Sequence, residues 1–183
     1  MKTVLITGGA RSGKSTFAQG MAAKSGKRVL FVATAQAGDE EMRRRIEDHK
    51  RSRPSSWRTL EAPTEIGARI TKSIGDGQLV LVDCITLLVS NVMGEFLSPD
   101  GSEVDEAESE KAVAAEIDGL LDCLKIIEAD FIIVTNEVGL GLVPDNKLGR
   151  VYRDLLGKAN QVLAGAADEV YFMVAGLPMR VKQ

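Results

Sequence analysis

The sequence predicts an α/β protein built on a mostly parallel sheet with helices on both faces, and three observations predict it. Apolar runs of strand length at Val4-Leu5-Ile6, Val29 to Ala33, Leu79 to Asp83 and Phe131 to Thr135 are nearly continuous rather than alternating, as in strands buried on both sides. Segments of helical periodicity separate these runs, which makes strand-helix-strand units and hence parallel neighbours. Between the first run and the first helix lies Gly8-Gly9-Ala10-Arg11-Ser12-Gly13-Lys14-Ser15, a phosphate-binding loop in its proper setting.

The spelling of that loop follows from its chemistry. Gly8 and Gly13 let the backbone turn tightly around a di- or triphosphate, and the loop's N–H groups converge at the start of the following helix. Lys14 reaches the β- and γ-phosphates, and the Ser15 hydroxyl can ligate Mg²⁺. Nucleotide binding is the expectation, with the reaction to be read from the rest of the chain.

Composition narrows the classes. The 183 residues suffice for one buried core and show no Pro/Ser-rich linker, so a single nucleotide-binding domain over 1–183 is expected. A net charge of −3 carries no electrostatic footprint for nucleic acid. The two cysteines, Cys84 and Cys123, have no metal or redox spacing. The first residues read as a strand rather than a leader, and no apolar run approaches the ~20 residues of a membrane span. A cytoplasmic protein without a membrane span or nucleic-acid partner is expected.

In order along the chain, Lys14 to about Lys24 forms the helix that closes the phosphate loop, stopping near Gly26. Val29 to Ala33 is the second strand. Asp39 is placed to cap a helix from Glu40 to about Lys50, in which Met42, Ile46 and His49 share one face. Its arginines and acids, Arg43 and Arg44 among them, read as a solvated, ion-paired surface, while Arg45 lies one turn from His49. Pro54 ends it. Trp57 to Pro63 is extended, Thr64 to Ile74 helical, and Leu79 to Asp83 a buried strand ending in a carboxylate. Such an Asp either holds Mg²⁺ beside a phosphate loop or caps the helix from Ile85.

Met93 to Asp105 reads as a surface loop, and the acids Glu103, Asp105, Glu106, Glu108 and Glu110 as solvated. A long amphipathic helix to about Glu128 leads into the strand Phe131 to Thr135. Asn136 and Glu137 then fall at that strand's carboxyl end, the ligand-binding edge of an open parallel sheet. A Gly139 to Pro144 loop precedes a helix from about Asn146 to Leu163. Val170 to Val174 and Met179 to Lys182 are closing strands, the last placed at an edge by Pro178.

Several separated pieces now coincide with one family: the 8–15 loop, Ala33-Thr34-Ala35, Arg45-Ile46-x-x-His49-Lys50-x-x-Arg53-Pro54, Trp57-x-Thr59-x-Glu61, Asp83-Cys84-Ile85-Thr86, Thr135-Asn136-Glu137-Val138-Gly139, and Arg150 with Tyr152-Arg153-Asp154 and Asn160-Gln161. Together they resemble the bifunctional adenosylcobinamide kinase / adenosylcobinamide-phosphate guanylyltransferase of cobalamin biosynthesis, over nearly the whole chain. The resemblance implies a RecA-like sheet, a homotrimer, ATP or GTP as phosphoryl donor, and GTP as guanylyl donor to adenosylcobinamide phosphate. It implies that His49, the one histidine in the chain, becomes covalently guanylylated. It also implies that the 8–15 loop, Ala33, Thr34, Ala35, Lys50, Arg51, Ser52, Arg53, Glu61 and Asp83 surround the nucleotide.

The residue types suit that chemistry. A neutral imidazole attacks phosphorus and leaves again when re-attacked, and the cations Arg45, Lys50 and Arg53 favour its neutral form while stabilising departing pyrophosphate. A carboxylate such as Glu61 accepts from both N1–H and the exocyclic amine of guanine, a donor pair adenine lacks. On residue type alone, His49 as an ordinary helix residue and Glu61 as a surface carboxylate stay open. So do two other functions: a kinase for another small molecule, and a GTP-gated switch. The switch lacks its guanine-holding Asn-Lys-x-Asp, since Asn146-Lys147-Leu148-Gly149 has no acid.

Overall fold

A computed structural model describes residues 1–36, 40–51 and 53–183. Within 40–51 the described side chains are those of Glu40, Arg43, Arg44, Glu47, Lys50 and Arg51. The expected cap Asp39, the expected ligand Ser52, and the side chains of Met42, Arg45, Ile46 and His49 lie outside the described residues.

The elements run β1 (Thr3–Gly8), α1 (Lys14–Lys24), β2 (Val29–Ala33), α2 (Glu40–Arg51), β3 (Arg58–Glu61), α3 (Ile66–Ser73), β4 (Leu79–Asp83), α4 (Ile85–Gly94), α5 (Glu106–Ile126), β5 (Asp130–Val134), α6 (Lys147–Ala166), β6 (Glu169–Val174) and β7 (Leu177–Lys182). One seven-stranded sheet has the order β3-β2-β4-β5-β1-β6-β7. All neighbours are parallel except β6 and β7, which form an antiparallel hairpin at the edge. The extended segment after Pro54 is the other edge strand, β3.

Strand side chains alternate between two apolar layers, as the period of two requires. Leu30, Val32, Val80, Val82, Phe131 and Ile133 face α3, α4, α5 and α6. Phe31, Ala33, Leu79, Leu81, Ile132 and Val134 face the other way, where Phe17, Ala18, Met21 and Ala22 of α1 cover them. Burying a side chain such as Phe31, which is 1 % exposed, contributes on the order of 2–3 kcal/mol. Helices therefore lie on both faces, unevenly shared.

Side chains fix several helix ends. Glu116 of α5 accepts from the Glu65 and Ile66 amides at 2.8 Å each, capping α3 from a neighbouring helix. Lys182 donates to the Ala164 and Gly165 carbonyls at the end of α6, at 2.8 Å each, which joins the chain's last strand to that helix. Asn146 caps α6 by accepting from the Gly149 amide at 2.7 Å.

Two expectations need correction. The stretch from Met93 to Asp105 is not wholly a surface loop: Met93 belongs to α4 and is buried, and Val104, also buried, pairs with Leu97 in an isolated bridge. Apolar residues among the turn-formers secure that loop to the core. The helix read as Thr64 to Ile74 begins at Ile66, because Glu65 adopts a left-handed backbone conformation, φ 54°.

Candidate active site

Strand register sets the site. Glu61 pairs with Ala33, Ala33 with Asp83, Asp83 with Val134, and Val134 with Ile6, a single row across five strands. All five strands are parallel, so the row marks the carboxyl edge of the sheet. Two residues beyond Ile6, Gly8 opens the phosphate loop. At about 4.8 Å per strand, Glu61 lies roughly 19 Å across the sheet from β1.

The loop's glycines are required by its surroundings. A Cβ on Gly8 would stand 2.6 Å from the Met173 carbonyl oxygen, and φ there is +147°. Gly13 has φ +94°, and its Cβ would stand 3.2 Å from Gly176 Cα. The β6–β7 turn is thus pressed against the loop, and the Gly176 amide donates to the Ser12 carbonyl at 3.0 Å. No motif in the sequence flagged Gly176. Its part is visible only once the hairpin is folded back.

Lys14 is buried, and its ammonium donates to the Gly9 carbonyl at 2.6 Å, closing the loop on itself. Burial lowers its pKa, while the charges of Cys84 and Asp83 oppose that shift. Ser15 is half-buried one residue on; Gly9, Ala10 and Arg11 are exposed on the loop's outer turn, and Ser12 is buried. Asp83 is not the cap of α4: the N-cap residue is Cys84, in extended conformation. The capping alternative for Asp83 therefore falls away.

Cys84 is itself held from β2. The Thr34 hydroxyl donates to the Cys84 carbonyl at 2.7 Å and accepts from the Cys84 amide at 2.8 Å. Thr34 is fully buried, so its hydroxyl is a clamp between two strand ends. Asn91 of α4 donates to the Thr34 and Pro63 carbonyls at 2.8 and 3.0 Å, a role the sequence did not suggest. Ala33 is buried and Ala35 half-buried beside this clamp. Burial pushes the Cys84 thiol up to about 11, with Asp83 adding to it, which suits a structural and not a nucleophilic cysteine.

Arg53 lies with its guanidinium 3.6 Å over the Phe31 ring. Burial lowers its pKa, and the charges of Asp83 and Glu61 oppose that shift in part. Its Nε and Nη1 are buried with no hydrogen-bond acceptor among the described residues. Two desolvated N–H donors of this kind are chemically suited to an anionic acceptor. Lys50 extends from the last turn of α2 to Glu61, 2.9 Å away, and that carboxylate raises the lysine's pKa. Arg51 is exposed on the same turn. His49 precedes Lys50 in α2, so its backbone lies in the helical turn that Lys50 ties to β3. Arg43 and Arg44 pair with Glu40 at 3.8 Å each and are mostly exposed, as a solvated face requires.

Between β4 and β1, the strand end of β5 is tied to the loop. The Glu137 amide donates to the Gly8 carbonyl at 3.0 Å. Asn160 of α6 accepts from the Thr135 hydroxyl at 2.7 Å and donates to the Asn136 carbonyl at 2.9 Å. The Asn136 amide donates to the Thr86 hydroxyl at 2.8 Å, and the Tyr152 hydroxyl to the Thr86 carbonyl at 3.1 Å. Side chains from α4 and α6 thereby fix the turn next to the phosphate loop.

The donor set fits Mg²⁺ better than a transition metal. Among the described residues no three His, Cys, Asp or Glu side chains converge. One hydroxyl, one carboxylate and phosphate oxygens are the hard ligands Mg²⁺ accepts with its retained waters. Among the described residues, no helix is long and apolar enough to cross a membrane.

Comparison with known proteins agrees with this geometry. A solved structure titled as the RadB recombinase superposes with a TM-score of 0.51 at 17% identity, over 93% of this chain and 73% of that one, which shows a shared RecA-like fold. The chain is 41% identical over 180 residues to the "Bifunctional adenosylcobalamin biosynthesis protein CobU" of Escherichia coli (strain K12), covering 98% of this chain and 99% of that protein. It is 44% identical over 178 residues to the "Bifunctional adenosylcobalamin biosynthesis protein CobP" of Pseudomonas aeruginosa, covering 97% and 96%. Residues 4–181 match the family described as "Cobinamide kinase / cobinamide phosphate guanyltransferase". With that family matched over residues 4–181 and relatives 41% and 44% identical across almost the whole chain, the chain belongs to the cobinamide kinase / cobinamide phosphate guanyltransferase family.

Proposed function

We propose that the protein phosphorylates adenosylcobinamide, with ATP or GTP as donor, and then transfers GMP from GTP to the product in adenosylcobalamin biosynthesis, the pair of activities its family's description names. The observation that supports this reading is Arg53: two buried N–H groups without an acceptor among the described residues, near the sheet edge that ends in Asp83 and Glu61.

In the first step the substrate hydroxyl attacks the γ-phosphorus, its proton is lost, and the nucleoside diphosphate leaves. The amides of residues 8–15 and the Lys14 ammonium, released from Gly9, hold the β- and γ-phosphates. Ser15 and Asp83 hold Mg²⁺, which when bound neutralises charge on the phosphate oxygens.

In the second step a ring nitrogen of His49 attacks the α-phosphorus of GTP and pyrophosphate leaves, forming a P–N bond. A phosphate oxygen of adenosylcobinamide phosphate then attacks that phosphorus, the P–N bond breaks, and adenosylcobinamide-GDP is released. Arg53 and Lys50, with Arg51 and Ser52 alongside, face charge on the α-phosphate and the departing pyrophosphate. Glu61 accepts from guanine N1–H and its amine. Ala33, Thr34 and Ala35 form the backbone wall between Glu61 and the phosphate loop. We place the reaction in the cytoplasm. A homotrimer fits the exposed apolar side chains of β7: Leu177, Met179 and Val181 are 72%, 52% and 57% exposed.

The experiment is labelling with α- and γ-labelled GTP in separate tubes. One GMP from the α-labelled sample should stay on denatured protein, survive alkali, leave in mild acid, and map to the peptide bearing His49. In His49→Asn this label should vanish while phosphorylation of adenosylcobinamide persists. An acid-stable adduct on a lysine, or retained label in the variant, would return the protein to the simple-kinase reading.

A further inference from the structure

Loops at a protein surface are mostly polar, yet the one that leaves β5 is not. Leu140, Leu142 and Val143 are 79%, 96% and 65% exposed, three large aliphatic side chains within four residues. Both ends of this loop are held fast. At its start Glu137 is bonded to Gly8, and the Gly139 amide donates to the Glu137 carboxylate. At its end Arg150 donates to the Pro144 and Asp145 carbonyls at 3.0 and 2.7 Å. A firmly anchored base presents an apolar tip to solvent.

The tip continues into a groove. The Pro144 ring sits over Gly149, which with Met93, Leu97, Leu148 and Tyr152 lines a space of about 300 Å³ between α4 and α6. That volume lies at the bottom of the range for small-molecule sites, too small to enclose a macrocycle but enough to seat its edge. Leu140 is three residues from Glu137, so it stands within roughly 10 Å of the residue bonded to Gly8.

We infer that the Leu140–Pro144 loop and the α4–α6 groove form the platform for the corrin ring of the cobinamide substrate. The inference rests on the cobinamide reading above. A corrin ring has broad apolar faces and a rim of amide arms, one of which ends in the hydroxyl to be phosphorylated. That hydroxyl must reach the γ-phosphate while the ring remains outside the phosphate loop. The loop and the apolar lining of the groove supply aliphatic contact for a face, and the anchored base holds the loop beside Gly8. The exposed apolar strand β7 also flanks the phosphate loop, through Gly176. As an edge strand it offers an unpaired backbone ladder, which suits another polypeptide better than a macrocycle.

The test compares Leu140→Ser/Leu142→Ser with Leu177→Ser/Met179→Ser. Both pairs are exposed, so neither change opens the core. Binding of dicyanocobinamide is followed by equilibrium dialysis and the visible absorbance of the corrin. KM for adenosylcobinamide and self-labelling by α-labelled GTP, which needs no corrinoid, are measured alongside. The loop variant should bind dicyanocobinamide at least tenfold more weakly and show a matching rise in corrinoid KM, with GTP labelling intact. The hairpin variant should keep corrinoid affinity. Unchanged corrinoid affinity in the loop variant overturns the inference, as does a loss confined to the hairpin variant. So does a changed sedimentation coefficient of the loop variant with unaltered corrinoid KM, which would make the loop a contact between copies of the chain. Wild-type protein that labels with GTP but binds no corrinoid would instead overturn the substrate reading.

Discussion

The Lys50 ammonium lies 2.9 Å from a Glu61 carboxylate oxygen, so the last turn of α2 is tied to the end of β3. The carboxylate proposed to read guanine is therefore held by a cation from the helix that bears His49. Both side chains are solvent-accessible, and the pair is easily exchanged for other partners. On the proposed reading, guanine would take Glu61 and free Lys50 for the phosphates.

From that exchange, Glu61→Gln should weaken GTP use specifically. The amide keeps the shape but presents one acceptor and one donor, so one guanine donor is left unmatched. KM for GTP in self-labelling should rise about tenfold or more, in line with ~1–3 kcal/mol for an unsatisfied group. Inhibition by inorganic pyrophosphate, which has no base, should be unchanged. Steady-state labelling rates across GTP and pyrophosphate concentrations check both.

Lys14→Ala removes the ammonium now donating to Gly9. Both phosphorylation and guanylylation should fall by about 10²-fold or more, as for other charge-stabilising donors. Circular dichroism should show an unchanged fold, because the lost contact is one loop carbonyl. Normal turnover in the folded variant would contradict the role given to the loop.

Asp83→Asn keeps the shape of the β4 terminus while removing its charge. Activity should drop and recover in part as Mg²⁺ is raised, since the neutral amide is a weaker ligand. The cap of α4 stays in place, because it is Cys84 and not Asp83. A Mg²⁺ titration of both activities, with a melting curve for each protein, separates the two roles.

Cys84 gives a pH prediction. Its thiol is held up to about 11 by burial, against ~8.5 in an unfolded chain. In that interval the folded state holds the proton more tightly than the unfolded state. The stabilisation is thus fully present below about pH 8.5 and declines as pH rises toward 11. Cys84→Ser, which cannot ionise there, should lose less melting temperature between pH 8 and 10 than the wild type. Alkylation by iodoacetamide at pH 8 should also leave Cys84 largely unmodified in the native protein.

The sequence by itself determined the elements that local chemistry dictates. The Gly8–Ser15 loop, the continuous apolar runs of β1, β2, β4 and β5, and the carboxylate closing β4 could be read directly, because phosphate binding and burial on both faces each leave a spacing. The edge position of β7 followed from Pro178. Tertiary structure decided what depends on partners far apart in the chain. The row Glu61, Ala33, Asp83, Val134, Ile6 is a matter of strand register. The clamp of Thr34 on Cys84 and the pressure of Gly176 on Gly13 arise from pairs with no spacing rule between them. Whether Asp83 holds Mg²⁺ or caps a helix was undecidable from the string Val82-Asp83-Cys84-Ile85, since both roles ask for the same residue at the same place. Only the fold, which puts Cys84 at the cap, removes the capping role.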